Sequence, residues 1–471
     1  MSTSTKPPEA EKPALLYESS AKIQSRRAQG RYARLRVLAM LLLLGFYYIA
    51  PWIQIGDTPL VWLDLPHRRF HVFTLTLAPQ DLIFLTWLLL IAALTLFFFT
   101  TLGGRLWCGY ACPQTVWTEA FIWMEHLAEG DRYARIKLDR SPWNTEKILR
   151  RGAKHLLWGG FALFTGLTFV AYFVPARELF PEFFALQLAG WPLFWTLFYG
   201  FATWGNAGVM REQVCKYMCP YARFQSAMFD KDTLVISYDQ KRGEPRKSVA
   251  KLSGVPAGDC VDCSLCVQVC PTGIDIRKGL QYECIACAAC VDACNSVMDS
   301  VHKPRGLIRY TSAHEEKGQK FRLLRPRVIG YGLIWAGLCV GFVVAILLRT
   351  PVQFDVIRDR HSLYRELDDG AIENLYTLKV SNETSAAHRF KLSVSSPDGR
   401  RFLAVPDSVL VGRGEAQALT VSVRNQVSDD EDDDEDRLHG IHSLKFSLVA
   451  EDDPKLQRER TASFIAGEGH D

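Results

Sequence analysis

The chain has 471 residues, more than one ordinary domain needs, and a formal net charge of only +4. A hydrophobic fraction of 48% with mean hydropathy near zero matches a soluble average, but it averages very apolar stretches with strongly charged ones. Residues 209–327 hold 19 Lys+Arg against 13 Asp+Glu, and residues 352–471 hold 15 against 24. That split points to separate domains. The basic part lacks any recognition motif for nucleic acid, so nucleic acid is not expected as a partner.

The polar stretch up to Arg36 does not read as a signal peptide, and it predicts a flexible cytoplasmic tail over residues 1–34. Five stretches reach the roughly 20 predominantly apolar residues that a bilayer crossing needs. They are residues 35–55, 81–102, 155–175, 191–209 and 328–348. Lys and Arg in the flanks orient them. Eight precede the first span, two follow it, nine separate the second from the third, one separates the third from the fourth, and 19 separate the fourth from the fifth. The alternation predicts a four-helix membrane domain over 35–230 and a fifth helix at 328–350, with residues 103–154 and 209–327 inside and everything from 352 outside.

The second span runs into Cys108-x3-Cys112-Pro113, and the fourth into Cys215-x3-Cys219-Pro220. Both are followed by an aromatic, amphipathic segment, so the two span pairs read as an internal repeat. Cysteines four apart share one helix face. Proline disfavours helical geometry at the residue before it, so each pair belongs on the last turn before a break. Brought together by the pseudo-symmetry, the pairs offer up to four thiolates at the membrane surface. Soft donors of this kind suit Cu(I), zinc or the iron of an iron–sulfur cluster, and a redox-active dithiol is the other option.

Residues 231–327 contain Cys260-x2-Cys263-x2-Cys266-x3-Cys270-Pro271 and Cys284-x2-Cys287-x2-Cys290-x3-Cys294, the latter followed by Asn295. This doubled run is the bacterial-type ferredoxin pattern, in which the remote fourth cysteine of each run serves the other cluster. Cys260, Cys263, Cys266 and Cys294 would hold one [4Fe–4S] cluster, and Cys284, Cys287, Cys290 and Cys270 the second. Zinc also uses C-x2-C pairs, but two complete runs 24 residues apart are far more specific. Two clusters in one small domain predict a relay of single electrons.

Beyond the fifth span, residues 351–471 change to short alternating strands separated by turn signals such as Pro397-Asp398-Gly399. Seven strands without a cysteine predict an immunoglobulin-like sandwich that lacks a disulfide and serves protein contact. The acidic run at 428–436 reads as a solvated loop.

These features predict a multi-domain, polytopic α-helical membrane protein of about five transmembrane helices. It carries a bacterial-type 2[4Fe–4S] ferredoxin insert and a C-terminal all-β immunoglobulin-like sandwich. The order of motifs over about residues 30–467 resembles the CcoG/FixG/RdxA family, accessory proteins of cbb3-type cytochrome c oxidase assembly. The resemblance implies a bacterial inner-membrane protein with a cytoplasmic ferredoxin domain and a periplasmic sandwich. It also implies reduction of Cu(II) to Cu(I) for copper delivery. On that reading Cys108, Cys112, Cys215 and Cys219 handle copper and the eight ferredoxin cysteines relay electrons. The implied partners are a cytoplasmic electron donor, membrane lipid, and oxidase subunits or copper chaperones and transporters. Two other functions stay open: a quinone-linked polyferredoxin conduit to a partner reductase, and a non-enzymatic assembly scaffold with redox-sensing clusters.

Overall fold

The structure, a computed structural model, describes residues 23–467 except 57, 74, 361–362, 368–369, 385, 426–437 and 439. The acidic run and the first part of the expected tail lie outside the described residues. The chain divides into two units. One comprises the described residues up to Tyr48 with Leu94–Phe169 and Ala189–Gly332, and the other comprises Ile49–Ala93, Val170–Leu188 and the chain from Leu333 onward.

Among the described residues, three helices are long and apolar enough to cross a membrane: Arg31–Trp52, Leu82–Gly103 and Pro326–Leu347. Only 11%, 0% and 0% of their most apolar windows is buried within the protein, so these leucine- and phenylalanine-rich surfaces require a lipid-like surrounding. The other two expected spans take different forms. Residues 155–170 end a longer helix, Thr145–Val170, whose first turns are charged (TEKILRRGAK). Residues 191–209 fall on a 14-residue helix, Gly190–Thr203, continued by wider π-helical turns over Trp204–Met210. Gly205, Asn206 and Gly208 populate that continuation, where a regular α-helix is weakest. These two helices pack closely. A Cβ on Gly166 would lie 2.3 Å from Thr196 O, and one on Gly200 would lie 3.4 Å from Ala162 O. Small residues at a crossing let backbones approach in this way.

The expected tail of residues 1–34 is corrected at its C-terminal end. The helix already begins at Arg31, and the Arg26 amide donates to Gln268 O at 2.8 Å. The start of the helix is capped from far along the chain. Asp292, only 5% exposed, accepts from the amides of Tyr32 (3.3 Å) and Ala33 (2.7 Å). A Cβ on Gly30 would lie 2.3 Å from Asp292 Cγ, so this approach requires glycine. A local reading of composition cannot see a cap supplied by a carboxylate more than 250 residues away.

The ferredoxin part of this unit is closed by one antiparallel strand pair, Val235–Tyr238 with Ile308–Thr311, which brings together the two ends of the cysteine-rich insert. Ile236, Ile276, Val291, Met298, Leu307 and Ile308 form its buried core. At most a handful of large side chains are available there, so the sulfur sites occupy the centre of the fold.

The other unit contains a three-stranded meander, Val61–Asp64, Arg69–Val72 and Leu75–Leu77, and a β-sandwich. One sheet orders Phe402–Val405, Ala416–Asn425, Ile372–Asn382 and Val352–Arg358, with Arg365–Glu366 paired to Ile372–Asn382. The other orders Ser408–Val411, His388–Ser395, Gly440–Ala450 and Gln457–Ala466. Alternation fills the space between them: Tyr376, Leu378 and Val380 point inward from one strand onto Phe390, Phe446 and Phe464. Phe402–Val405 and Arg365–Glu366 add to the expected strands. The first, FLAV, is apolar throughout and shows no alternation, and the second is only two residues long.

Asp292→Ala removes the cap on the first long helix, a loss of about 1–2 kcal/mol. Amide exchange at Tyr32 and Ala33 in detergent-solubilised protein is expected to accelerate about 5- to 30-fold. Unchanged exchange would show that the carboxylate does not hold this helix end.

Candidate metal centres

In the ferredoxin runs the backbone curls around each middle cysteine in the same way. Asp262 and Ser264, on either side of Cys263, have φ of 58° and 56°, and Ala286 and Ala288, on either side of Cys287, have φ of 52° and 57°. None is glycine, so each left-handed residue costs about 1–2 kcal/mol. The conformation turns three successive thiols toward one centre. The third cysteine of each run then lies on a helix, Leu265–Gln268 or Ala289–Ser300, and the latter also carries Cys294.

Two cavities result. One, of about 340 Å³, is lined by Cys266, Cys270, Cys284, Cys287 and Cys290 with Ile236, Ile274 and Ile285. The other, of about 360 Å³, is lined by Cys260, Cys263, Cys266 and Cys294 with Tyr238, Leu307 and Ile308. Cys270 therefore stands with the run 284–290, and Cys294 with the run 260–266. Cys266 is common to both walls. Among the described residues no three Cys, His, Asp or Glu groups converge on a single ion. The thiols instead ring a space, which fits a multi-iron cluster and not a lone zinc ion.

The thiols are strongly desolvated. Burial pushes Cys284 and Cys294 up to about 12 and Cys266 up to about 11, with neighbouring thiols adding to the first two. Iron must displace these protons, so loading couples to proton release. Arg277, which lines the second cavity, donates to Asp262 (2.7 Å) and to Asp275 (2.8 Å), tying the turn of the first run to the next loop. Nothing in the cysteine spacing signals this clamp.

The two C-x3-C-P motifs share a second device. Cys112 caps the helix Pro113–Glu129 and Cys219 caps the helix Pro220–Met228, each in extended geometry with proline as the first helical residue. The amides of both cysteines donate to the carbonyl five residues back, Cys112 to Trp107 and Cys219 to Val214, each at 2.8 Å. Cys108 lies on a short helix, Leu106–Tyr110, and Cys215 on π-helical turns, Val214–Met218. Such turns often mark functional positions.

Side chains stitch the two motifs together. Cys108 Sγ donates to Gln225 Oε1 at 3.2 Å. Gln114 Nε2 donates to Asn206 O (2.9 Å) and Arg211 O (3.1 Å). Arg105 donates to Ala222 O and, at 2.7 Å, to Ser226 Oγ. Burial, followed by the charge of neighbouring thiols, pushes Cys108 and Cys215 up to about 12.

The motif at 108–112 also abuts the second ferredoxin run. A Cβ on Gly109 would lie 2.7 Å from Ile285 O, 2.9 Å from Ala286 O and 2.9 Å from the Cα of Cys287. Only glycine permits that contact. Arg105, 4% exposed, also donates to Cys284 O at 3.3 Å, so one guanidinium faces both thiol groups. Neither residue stood out in the sequence, because their importance comes from a contact between distant segments.

A buried ionic network holds the chain ahead of Cys215. Glu125, fully buried, accepts from Arg135 (3.1 Å) and Arg211 (2.7 Å), and Lys154 pairs with Glu129 at 2.7 Å. Arg211 has φ of 44°, a strained value that its bonds to Glu125 and Gly208 O hold in place. Next to it, a cavity of about 550 Å³ is lined by Arg36, Glu119, Glu212, Cys215 and Cys287 among others.

Comparison with known proteins agrees with this division. Residues 210–313 match a family described as a 4Fe-4S dicluster domain, residues 85–128 a 4Fe-4S binding domain, and residues 342–467 the immunoglobulin-like fold at the C-terminus of FixG. The chain is 39% identical over 421 residues to nitrogen fixation protein FixG of Rhizobium meliloti, covering 80% of each chain. It is 40% identical over 402 residues to protein RdxA of Cereibacter sphaeroides, covering 82% of this chain and 85% of that one. A FixG-related protein from Vibrio parahaemolyticus, known from a crystal structure, is 27% identical over 24% of this chain and 95% of its own, with a TM-score of 0.20.

Cys294→Ser is expected to disturb the centre that Cys260→Ser disturbs, and to leave intact the one that Cys284→Ser removes. EPR of the reduced, anaerobically purified variants reads the difference. Loss of the Cys284-dependent signal would overturn the crossed pairing.

Proposed function

We propose that this chain, which belongs to the FixG/RdxA family, uses its iron–sulfur domain to reduce Cu(II) to Cu(I), supplying copper during assembly of a cbb3-type cytochrome c oxidase. The observation that carries the reading is the Gly109 contact, where the membrane-edge thiols meet the second ferredoxin run backbone to backbone. When bound, the clusters supply one-electron storage and transfer. The protein's own residues do the rest. The paired runs hold the clusters in an apolar core, Gly109 removes the separation between that core and the C-x3-C-P motifs, and Arg105 offsets negative charge between them. Each Cu(II) takes one electron, and sulfur in its neighbourhood favours Cu(I). The carboxylates of Glu119 and Glu212 line an access cavity to Cys215.

Five crossings are part of the proposal, with the ferredoxin domain in the cytoplasm and the sandwich in the periplasm of a bacterial inner membrane. The close packing at Gly166 and Gly200 supports membrane placement of the two irregular helices, and the Lys/Arg alternation supports the orientation. A cytoplasmic reductant then loads one side, and the sandwich faces oxidase subunits or copper carriers on the other.

A quinone-linked conduit is the second reading. Arg36 Nε, buried without a hydrogen-bond partner, lines the cavity beside Cys215 and could donate to a quinone carbonyl there.

Membranes containing the Cys215→Ser, Cys219→Ser double variant are expected to lose at least about nine-tenths of their cupric reduction, a loss of about 1.4 kcal/mol or more in transition-state stabilisation. Undiminished Cu(II) reduction, measured with a Cu(I)-specific chelator, would remove these thiols from the reaction. Quinol-driven cluster reduction that needs no copper would favour the second reading.

A further inference from the structure

We propose that Cys108, Cys112, Cys215 and Cys219 together hold a third iron–sulfur cluster, of the four-iron cubane type, where the two C-x3-C-P motifs meet. The inference rests on the electron-transfer reading above, and it takes the copper ion off these four sulfurs.

The donor count comes first. The match to a 4Fe-4S binding domain over residues 85–128 contains only two cysteines, Cys108 and Cys112, whereas a cubane takes four protein sulfurs. The fold supplies the missing two from Cys215 and Cys219. The contacts of Cys108 with Gln225, Gln114 with Arg211 O, and Arg105 with Ser226 lock the two halves together.

Proximity comes next. The charges of Cys112, Cys215 and Cys219 each act on the Cys108 thiol, which places the four sulfurs in one neighbourhood. Cys112 and Cys219 both sit at the N-termini of helices, of 17 and 9 residues. Free amides and the helix dipole there favour a negatively charged ligand. A cubane with four thiolates is such a ligand, at about −2 when oxidised. Arg105 lies buried between this group and Cys284, in position to compensate two anionic clusters at once.

The redox balance is simple. One electron enters from the neighbouring reduced cluster and one leaves to the acceptor, with no proton transferred. The cluster arrives preformed with its sulfide, and ligation releases one proton per thiol. The acceptor then meets the chain in the cavity beside Cys215, not at the sulfurs themselves.

Iron and acid-labile sulfide in the full chain, purified anaerobically, test the assignment. About 12 of each per chain are expected, against about 8 if only the ferredoxin runs are loaded. The Cys112→Ser, Cys219→Ser variant should fall by about 4 iron while the EPR signals of the ferredoxin pair persist. About 8 iron in the unaltered protein overturns the proposal, as does a copper ion that is lost in the variant without loss of iron. If the variant does not fold, the iron count of the unaltered protein decides alone. About 12 iron with no cupric reduction would overturn the copper reading and leave the third cluster standing, and about 8 iron with cupric reduction would do the reverse.

Discussion

The arrangement depends on one backbone contact, the seating of Gly109 against the carbonyls of Ile285 and Ala286. It joins a turn at the end of a membrane-length helix to the loop that carries Cys284 and Cys287. Main chain meets main chain at this point, with no side chain on Gly109 to hold the two segments apart. Arg105 supports the same junction with bonds to both segments.

Much of the surrounding structure runs against stability. Four non-glycine residues adopt left-handed geometry around the ferredoxin cysteines, and the thiols are stripped of water. Local rules broken in this way are usually offset at the site they serve. Here iron binding is the offset, since ligation replaces each buried thiol proton with a metal bond. The small apolar core of Ile236, Ile276, Met298 and their neighbours cannot do it alone.

Next to the membrane-length helices, the polar devices are of another kind. Glu125, Glu129, Arg135, Lys154 and Arg211 form a buried ionic group in which each charge has an opposite partner. Breaking one pair would strand a charge in low dielectric, which makes such groups specific even where their net stabilisation is small. The network fixes the turn before Cys215, while Asp292 fixes the start of the first long helix. Asp292 thereby ties a sulfur-bearing helix to a membrane-length one, and the network ties the turn before Cys215 to the helices Pro113–Glu129 and Thr145–Val170.

Several features were legible from the residues alone because their causes are local. The spacing within each cysteine run reflects the turn needed to aim three thiols at one centre. The long apolar helices are set by length and hydropathy, and strands such as Ile372–Asn382 by alternation. The break after each C-x3-C pair follows from proline chemistry, and helices do begin at Pro113 and Pro220. Other features arose only on folding. These are the docking of residues 23–34, the π-helical end of the stretch 191–209, and the roles of Gly109 and Arg105. Each requires a particular meeting of segments far apart in the chain. Covalent spacing and periodicity describe neighbours along the backbone, and only the packed structure decides which distant groups become neighbours in space.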